Sequence, residues 1–408
     1  MENIPKFISL FFIAFLYFHV ISVDAKVHSV YNWNTFTFKN LPHKGESIVE
    51  GHHYQYYNSC NIVPSSISYN CHHKCLLVSF PRKAHSIPTT LAFLDHKHQH
   101  HHTKSPALSG FPSYVHNFVP GWFGVDTLPA DDYNYNIYQG YTKTTPYFKS
   151  HHFVSAAYLV ANYKCQVLYI LDTGTLEYPE GNICVRPPIL WGFSIDGCSE
   201  HEFDKPAALK VTIPAHLVKD PTGFGQVELD NYGNCEEFAL YLANYKDCKF
   251  VVYDNVKRSF WTFDYNAYNP LAGTPFNYQV REPYNTGVVS LTATFQFVDH
   301  YSKDKGAVLF YDHYTKVLFS VYWFDCKVTC WHTKNPLDDK HVVTLYSDLK
   351  YGADLTIDSD RNIWFLLLDT NANPIVYRHD VHEYKAQLYT ANVDNLIHGT
   401  ACDPKYIG

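Results

Sequence analysis

One phrase recurs along this chain and constrains its fold more than any other feature: a short, nearly unbroken apolar run. It appears as Cys75-Leu-Leu-Val-Ser-Phe80, Val167-Leu-Tyr-Ile-Leu-Asp172, Ala239-Leu-Tyr-Leu-Ala-Asn244, Val317-Leu-Phe-Ser-Val-Tyr322 and Ile363-Trp-Phe-Leu-Leu-Leu368. Each run is too continuous for a strand with one wet face and too short for a helix, which is how a strand buried on both faces reads. In three cases a polar turn and a second strand follow. Lys246-Asp247-Cys248 leads to residues 249–254, Asp325-Cys326 to 327–331, and Asn371-Ala372-Asn373-Pro374 to 375–378. Asp-rich turns such as Asp358-Ser-Asp-Arg-Asn362 supply the chain reversals.

Strand, turn and strand repeated along one chain is the mark of a blade array. No segment carries a sustained 3.6-residue apolar period with caps. The expected fold is therefore all-β, a β-propeller, because radial repetition leaves only short sheet edges. A pair of packed β-sandwiches is the alternative that the pattern leaves open. The runs are unequally spaced, so the blades should carry unequal insertions. Tyr54 to His73 and the His-rich stretch from Asp95 to His152 read as long surface loops.

The amino terminus reads as a secretory signal over residues 1–25. Lys6 supplies the positive charge, Phe7 to Val23 is mostly apolar, and Val23-Asp24-Ala25 offers a cleavage site. A membrane anchor is the competing reading of the same run. After it, residues 26–408 are expected to form one secreted, extracellular domain that does not span a membrane. Secretion makes the 11 Cys candidates for disulfides rather than thiolate catalysts. The net charge of −7 argues against a nucleic-acid partner held by phosphate neutralisation. The 34 Tyr and 28 Phe favour pleated surfaces, and so point to strands as well.

Several stretches resemble the yellow/major royal jelly protein family of secreted insect proteins. They are Leu77-Val-Ser-Phe-Pro-Arg-Lys83, Ile87-Pro88, Leu168-Tyr-Ile-Leu-Asp-Thr-Gly174, Arg186-Pro-Pro-Ile-Leu190 and Tyr241-Leu-Ala-Asn244, then Cys330-Trp-His-Thr333, Tyr351-Gly-Ala-Asp354 and Gly399-Thr-Ala-Cys-Asp403. The resemblance implies a six-bladed propeller and two disulfides, Cys165–Cys235 and Cys330–Cys402. The other seven Cys are left unassigned. Between Gly287 and Lys316 the chain is shorter than the family pattern, so one blade is expected to be truncated. Some salivary members bind biogenic amines in the central channel through a Thr and an Asn. Here those positions are Ala353 and Leu368, which offer neither polar group.

Motifs of chemistry are scarce. The sequence has no Gly-x-Ser-x-Gly elbow, no His-Glu-x-x-His, no P-loop and no Gly-x-Gly-x-x-Gly. No catalytic residues, cofactor or metal site are therefore assigned. The run His96, His98, His100, His101, His102 is read as an exposed loop that holds transition metals only weakly. Asp172, Asn244 and Tyr322 end equivalent runs. In a propeller such ends converge towards one mouth of the channel. With Asp354 and Asp369 they form the candidate ligand-binding set for a small aromatic or amine ligand, since carboxylates pair with an ammonium. Two functional readings stand: a non-enzymatic ligand-binding or cuticular protein, and a dopachrome-type isomerase of pigment chemistry, which needs a general acid or base near the ring.

Overall fold

The structure is a computed structural model. It describes residues 27–406 apart from 96–103, 118–150, 198–206, 265–306, 370–385 and stretches of four residues or fewer. The signal segment, the His96–His102 run and the strand expected over 375–378 lie outside the described residues. So does 287–306, most of the stretch where a blade reads as shortened.

In chain order the strands are β1 (His28–Trp33), the hairpin β2 (Glu46–Val49) and β3 (His52–Gln55), then β4 (Ser66–Asn70), β5 (Cys75–Ser79), β6 (Leu91–Asp95) and β7 (Ser109–Gly110). Next come β8 (Ala156–Asn162), β9 (Val167–Asp172), the hairpin β10 (Thr175–Tyr178) and β11 (Gly181–Cys184), β12 (Ile189–Ser194) and β13 (Leu209–Thr212). β14 (Phe224–Asn231), β15 (Phe238–Asn244), β16 (Lys249–Asp254) and β17 (Ser259–Asp264) follow. The last are β18 (Ala307–Asp312), β19 (Val317–Tyr322), β20 (Lys327–His332), β21 (Val342–Ser347), β22 (Lys350–Ile357), β23 (Asn362–Asp369) and β24 (Ala386–Asn392).

These strands build five four-stranded antiparallel sheets among the described residues, and they are the blades of a β-propeller. The orders are β4-β5-β6-β7, β8-β9-β12-β13, β14-β15-β16-β17, β18-β19-β20-β21 and β22-β23-β24-β1. In the last sheet the amino-terminal strand supplies the outer edge. It pairs beside β24, so the two ends of the chain close one sheet.

Contacts divide the chain into two compact units. One holds described residues within Met1–Asn32, Lys305–Thr370 and Ala386–Gly408, the other those within Trp33–Asp304. The five apolar phrases are β5, β9, β15, β19 and β23, the second strand of every sheet. β9 shows why their apolar pattern is continuous. Leu168 and Ile170 pack into a core shared with Leu77, Leu91 and Phe93, while Tyr169 and Leu171 pack on the other face with Phe224, Leu240 and Val251. A strand between two cores buries both its odd and its even side chains, each worth roughly 1.5–3 kcal/mol. In the other unit Phe319, Val321, Ile363, Phe365 and Leu367 form one core with Cys330 and Cys402.

The reading of Tyr54 to His73 as a surface loop is corrected here. Ser66–Asn70 forms β4, the first strand of its sheet, and all five residues are buried. Its polar side chains are satisfied sideways. Ser66 accepts from Leu159 N at 3.1 Å, and Asn70 donates to the Ile195 carbonyl at 2.7 Å. Within the His-rich stretch, β7 and the short helix Tyr114–Asn117 are likewise ordered, and Asn117 is fully buried.

Candidate functional site

Asp172 ends β9 and is completely buried. Its carboxylate accepts four hydrogen bonds: from Val154 N at 3.0 Å, Ser155 N at 2.8 Å, Gly174 N at 3.1 Å and Arg186 Nη2 at 2.6 Å. The Leu-Asp-Thr-Gly phrase explains how Arg186 arrives there. Gly174 has φ +68°, and a Cβ on it would sit 2.2 Å from the Arg186 carbonyl oxygen. Gly174 O accepts from Val185 N and Arg186 N at 2.9 and 3.2 Å. Only glycine allows that left-handed turn and that approach together. Arg186 also donates to the His152 carbonyl.

Asn244 ends β15 and is also fully buried. Its Nδ2 donates to the Asp220 carbonyl at 2.9 Å, and its Oδ1 accepts from Asp247 N at 3.0 Å. Both groups therefore act on neighbouring backbone at strand ends, a habit of Asp and Asn side chains.

Beside Asn244 lies a cluster that the sequence reading did not single out. Lys246 Nζ pairs with Asp220 at 3.3 Å and also donates to Thr222 Oγ1. Burial would raise the Asp220 carboxyl, but bonds from Thr222 and Lys246 outweigh it and hold the group below the usual carboxylate range. The hairpin β10–β11 leaves its sheet between β9 and β12 and reaches across to these residues. Glu177 N donates to the Arg82 carbonyl at 2.8 Å, and β10 packs on the 3-10 turn Pro221–Gly223. The half-buried Glu177 carboxyl is pushed up by burial, which the charges of Lys83 and Lys246 only partly offset. Strand ends thus bring chemistry together, but through residues just past the strands. The one legible signal was the polar character of the turns.

In the other unit, Tyr322 and Asp369 end β19 and β23, and their side chains lie outside those described. Asp354 is 8% exposed on β22, next to a bulge between Gly352 and Asp354 in the pairing with β23. Ala353 is half-buried and Leu368 fully buried. The disulfides Cys165–Cys235 and Cys330–Cys402 are both formed, with sulfurs 2.09 and 2.05 Å apart. Cys75 is disulfide-bonded as well. Among the described residues no group of three or more His, Cys, Asp or Glu is placed to hold a metal ion.

Blades closed by an amino-terminal strand, with Asp and Asn side chains fastening the strand ends, define a disulfide-braced β-propeller. The sequence pattern of the major royal jelly protein family matches residues 155–312 and 293–402, and the chain belongs to that family. Similar proteins include the yellow-related salivary protein SP04 of Phlebotomus argentipes, 26% identical over 92% of this chain and 94% of the relative. ASP4 of Phlebotomus orientalis is 24% identical over 91% and 93%, and LJM11 of Lutzomyia longipalpis 23% identical over 85% and 90%. Both bear the same yellow-related salivary description.

Proposed function

We propose that this protein is a secreted, salivary-type yellow propeller that works by binding a small aromatic amine rather than by turning one over. Asp354 carries the reading. It places a buried carboxylate on the first strand of its sheet, the strand that runs nearest the axis in a propeller. The bulge beside it re-aims side chains locally, as bulges do next to binding sites. A carboxylate there replaces the neutral Thr and Asn anchors that Ala353 and Leu368 cannot provide, and a charge-assisted bond to an ammonium is about twice as strong as a neutral one. Tyr322 and Asp369 are the accompanying candidates in the same unit. Asp172 and Asn244 complete the candidate set, and a ligand there would displace backbone donors or Arg186.

Isothermal titration with catechol- and indole-amines tests this. Wild type should bind at least one of them, and Asp354→Asn should weaken that binding about tenfold. Absence of binding at millimolar concentration would refute the carrier reading.

A second reading has one observation in its favour. Glu177 is a half-buried carboxyl whose proton affinity is raised by burial, beside two lysines. That is the condition of a general acid or base for tautomerising a catechol-derived ring. Dopachrome conversion by wild type, abolished in Glu177→Gln, would favour this reading over simple binding.

A further inference from the structure

Within one compact unit, loops of three sheets bring four charged side chains together, and these pair unequally. The hairpin β10–β11 supplies Glu177 and the loop after β5 supplies Lys83, while Lys246 follows β15 and Asp220 precedes β14. Lys246 and Asp220 close their pair at 3.3 Å, and Lys246 also donates to Thr222. Glu177 and Lys83 do not close theirs. Among the described residues the Glu177 carboxyl accepts no hydrogen bond, and the Lys83 ammonium makes neither a hydrogen bond nor an ion pair. Their backbones are nonetheless neighbours, because Glu177 N donates at 2.8 Å to the carbonyl of Arg82, the residue before Lys83. Burial pushes the Glu177 carboxyl up, and Lys83 is the strongest of the charges that pull it back. A half-buried carboxyl without a donor carries a desolvation cost that an ammonium out of contact only partly relieves.

We propose that Glu177 and Lys83 are the two ends of a binding site for a small zwitterion, a free α-amino acid whose ammonium pairs with Glu177 and whose carboxylate pairs with Lys83. A singly charged ligand would satisfy one end and leave the other unmet. An α-amino acid carries both charges on one carbon, so it can bridge a carboxylate and an ammonium that stop short of contact. The Asp220–Lys246 pair is already closed, which leaves Lys83 as the cation open to a ligand carboxylate. Both ends stand on fixed backbone. Lys83 follows Arg82, whose fully buried guanidinium donates to the carbonyls of Ile87, Phe153, Val154 and Asn117. Glu177 follows Leu176, which is fully buried and lies opposite the buried Ile183 in the hairpin. Binding therefore orders little beyond two side chains, which is how few contacts yield useful affinity, and the contacts at both ends are charge-assisted. The site does not rest on the amine reading, whose carboxylate Asp354 belongs to the other unit. Glu177 here holds a charge, whereas the acid–base reading has it move a proton.

Calorimetric titration of the full-length mature protein with L-alanine and L-leucine tests the site. Isopentylamine and 4-methylpentanoate serve as analogues of leucine that keep one charge each. These probes are aliphatic, so the result is separate from titration with aromatic amines, and either reading can fail while the other stands. At least one of the two amino acids should bind saturably, and each single-charge analogue should bind about tenfold more weakly or worse. Glu177→Gln and Lys83→Met should each lower the affinity about tenfold. If Glu177→Gln fails to fold, Lys83→Met decides alone, since Lys83 is only half-buried. The proposal is overturned if neither amino acid binds wild type by roughly 10 mM. It is equally overturned if either analogue matches leucine, or if Lys83→Met binds as wild type does. In those cases water serves the Glu177 carboxyl.

Discussion

Two Asp–Arg pairs, one in each compact unit, solve the same problem with opposite charge balances. Asp172 pairs with Arg186 at 2.6 Å, and Asp312 with Arg361 at 3.1 Å. In the first pair the carboxylate is saturated, and the cation keeps an unmatched Nε beside a second cation, Lys210. In the second the arginine is shared: Arg361 also binds Asp394 at 2.8 Å and stacks on the exposed Tyr314 ring at 4.4 Å. Two carboxylates meet one guanidinium there, and Thr315 and Tyr314 N donate to Asp312. The contrast teaches that an Asp–Arg contact by itself says little. What matters is which partner has hydrogen-bonding capacity left over.

The largest expected effect comes from removing the saturated carboxylate. Asp172→Ala strips partners from three backbone N–H groups and strands the Arg186 charge, so chemical denaturation should show a loss of about 3–5 kcal/mol. Gly174→Ala should follow at on the order of 3 kcal/mol, because it adds left-handed strain to a clash with the Arg186 carbonyl. Asp312→Ala should cost less, about 2 kcal/mol, since Arg361 keeps Asp394 and reaches solvent. A loss for Asp312→Ala as large as that for Asp172→Ala would break the comparison.

Acid should separate the two pairs as well. Burial alone would raise Asp312, but bonds from Thr315, Arg361 and Tyr314 N hold it below the ordinary carboxylate value. Its stabilisation is thus complete above that value and is lost as pH falls through the folded pKa, below about 3.8. Near the other pair, His116 packs on Phe153 and Phe193, and burial together with His151 lowers it to about 4. The unfolded chain binds that proton first, so stability should already fall between pH 6.5 and about 4. Melting curves across this range should lose that slope in His116→Gln and keep it in Asp312→Asn. The smallest effect belongs to Lys210→Gln on the exposed end of β13, within about 0.5 kcal/mol of wild type.

How much of this was legible depends on which strand is considered. Second strands such as β9 and β23 announce themselves, because burial on both faces demands apolar residues at nearly every position. β4, Ser66-Ile-Ser-Tyr-Asn70, did not, because its partners are hydroxyl and amide bonds to other segments, as from Asn70 to Ile195 O. The candidate site divides in the same way. Asp172 and Asn244 were visible as polar ends of apolar runs, but their commitment to backbone was not. Glu177, Trp191 and Lys210 carried no signal, and Lys246 only the polar character of its turn, since each gains its meaning from a neighbour in another strand or loop.

The sequence by itself determined the repeating strand-turn-strand plan, the buried second strands and, by resemblance, the two disulfides. These follow from local alternation, turn chemistry and motif, which are properties of contiguous residues. The tertiary structure alone decided that the amino-terminal β1 completes the sheet begun by β22. It also decided that a hairpin carries Glu177 to Arg82, and that Lys210 lies across from Trp191. Those outcomes depend on pairing between residues far apart in the chain, where charge and hydrogen-bonding capacity are balanced by proximity and not by order.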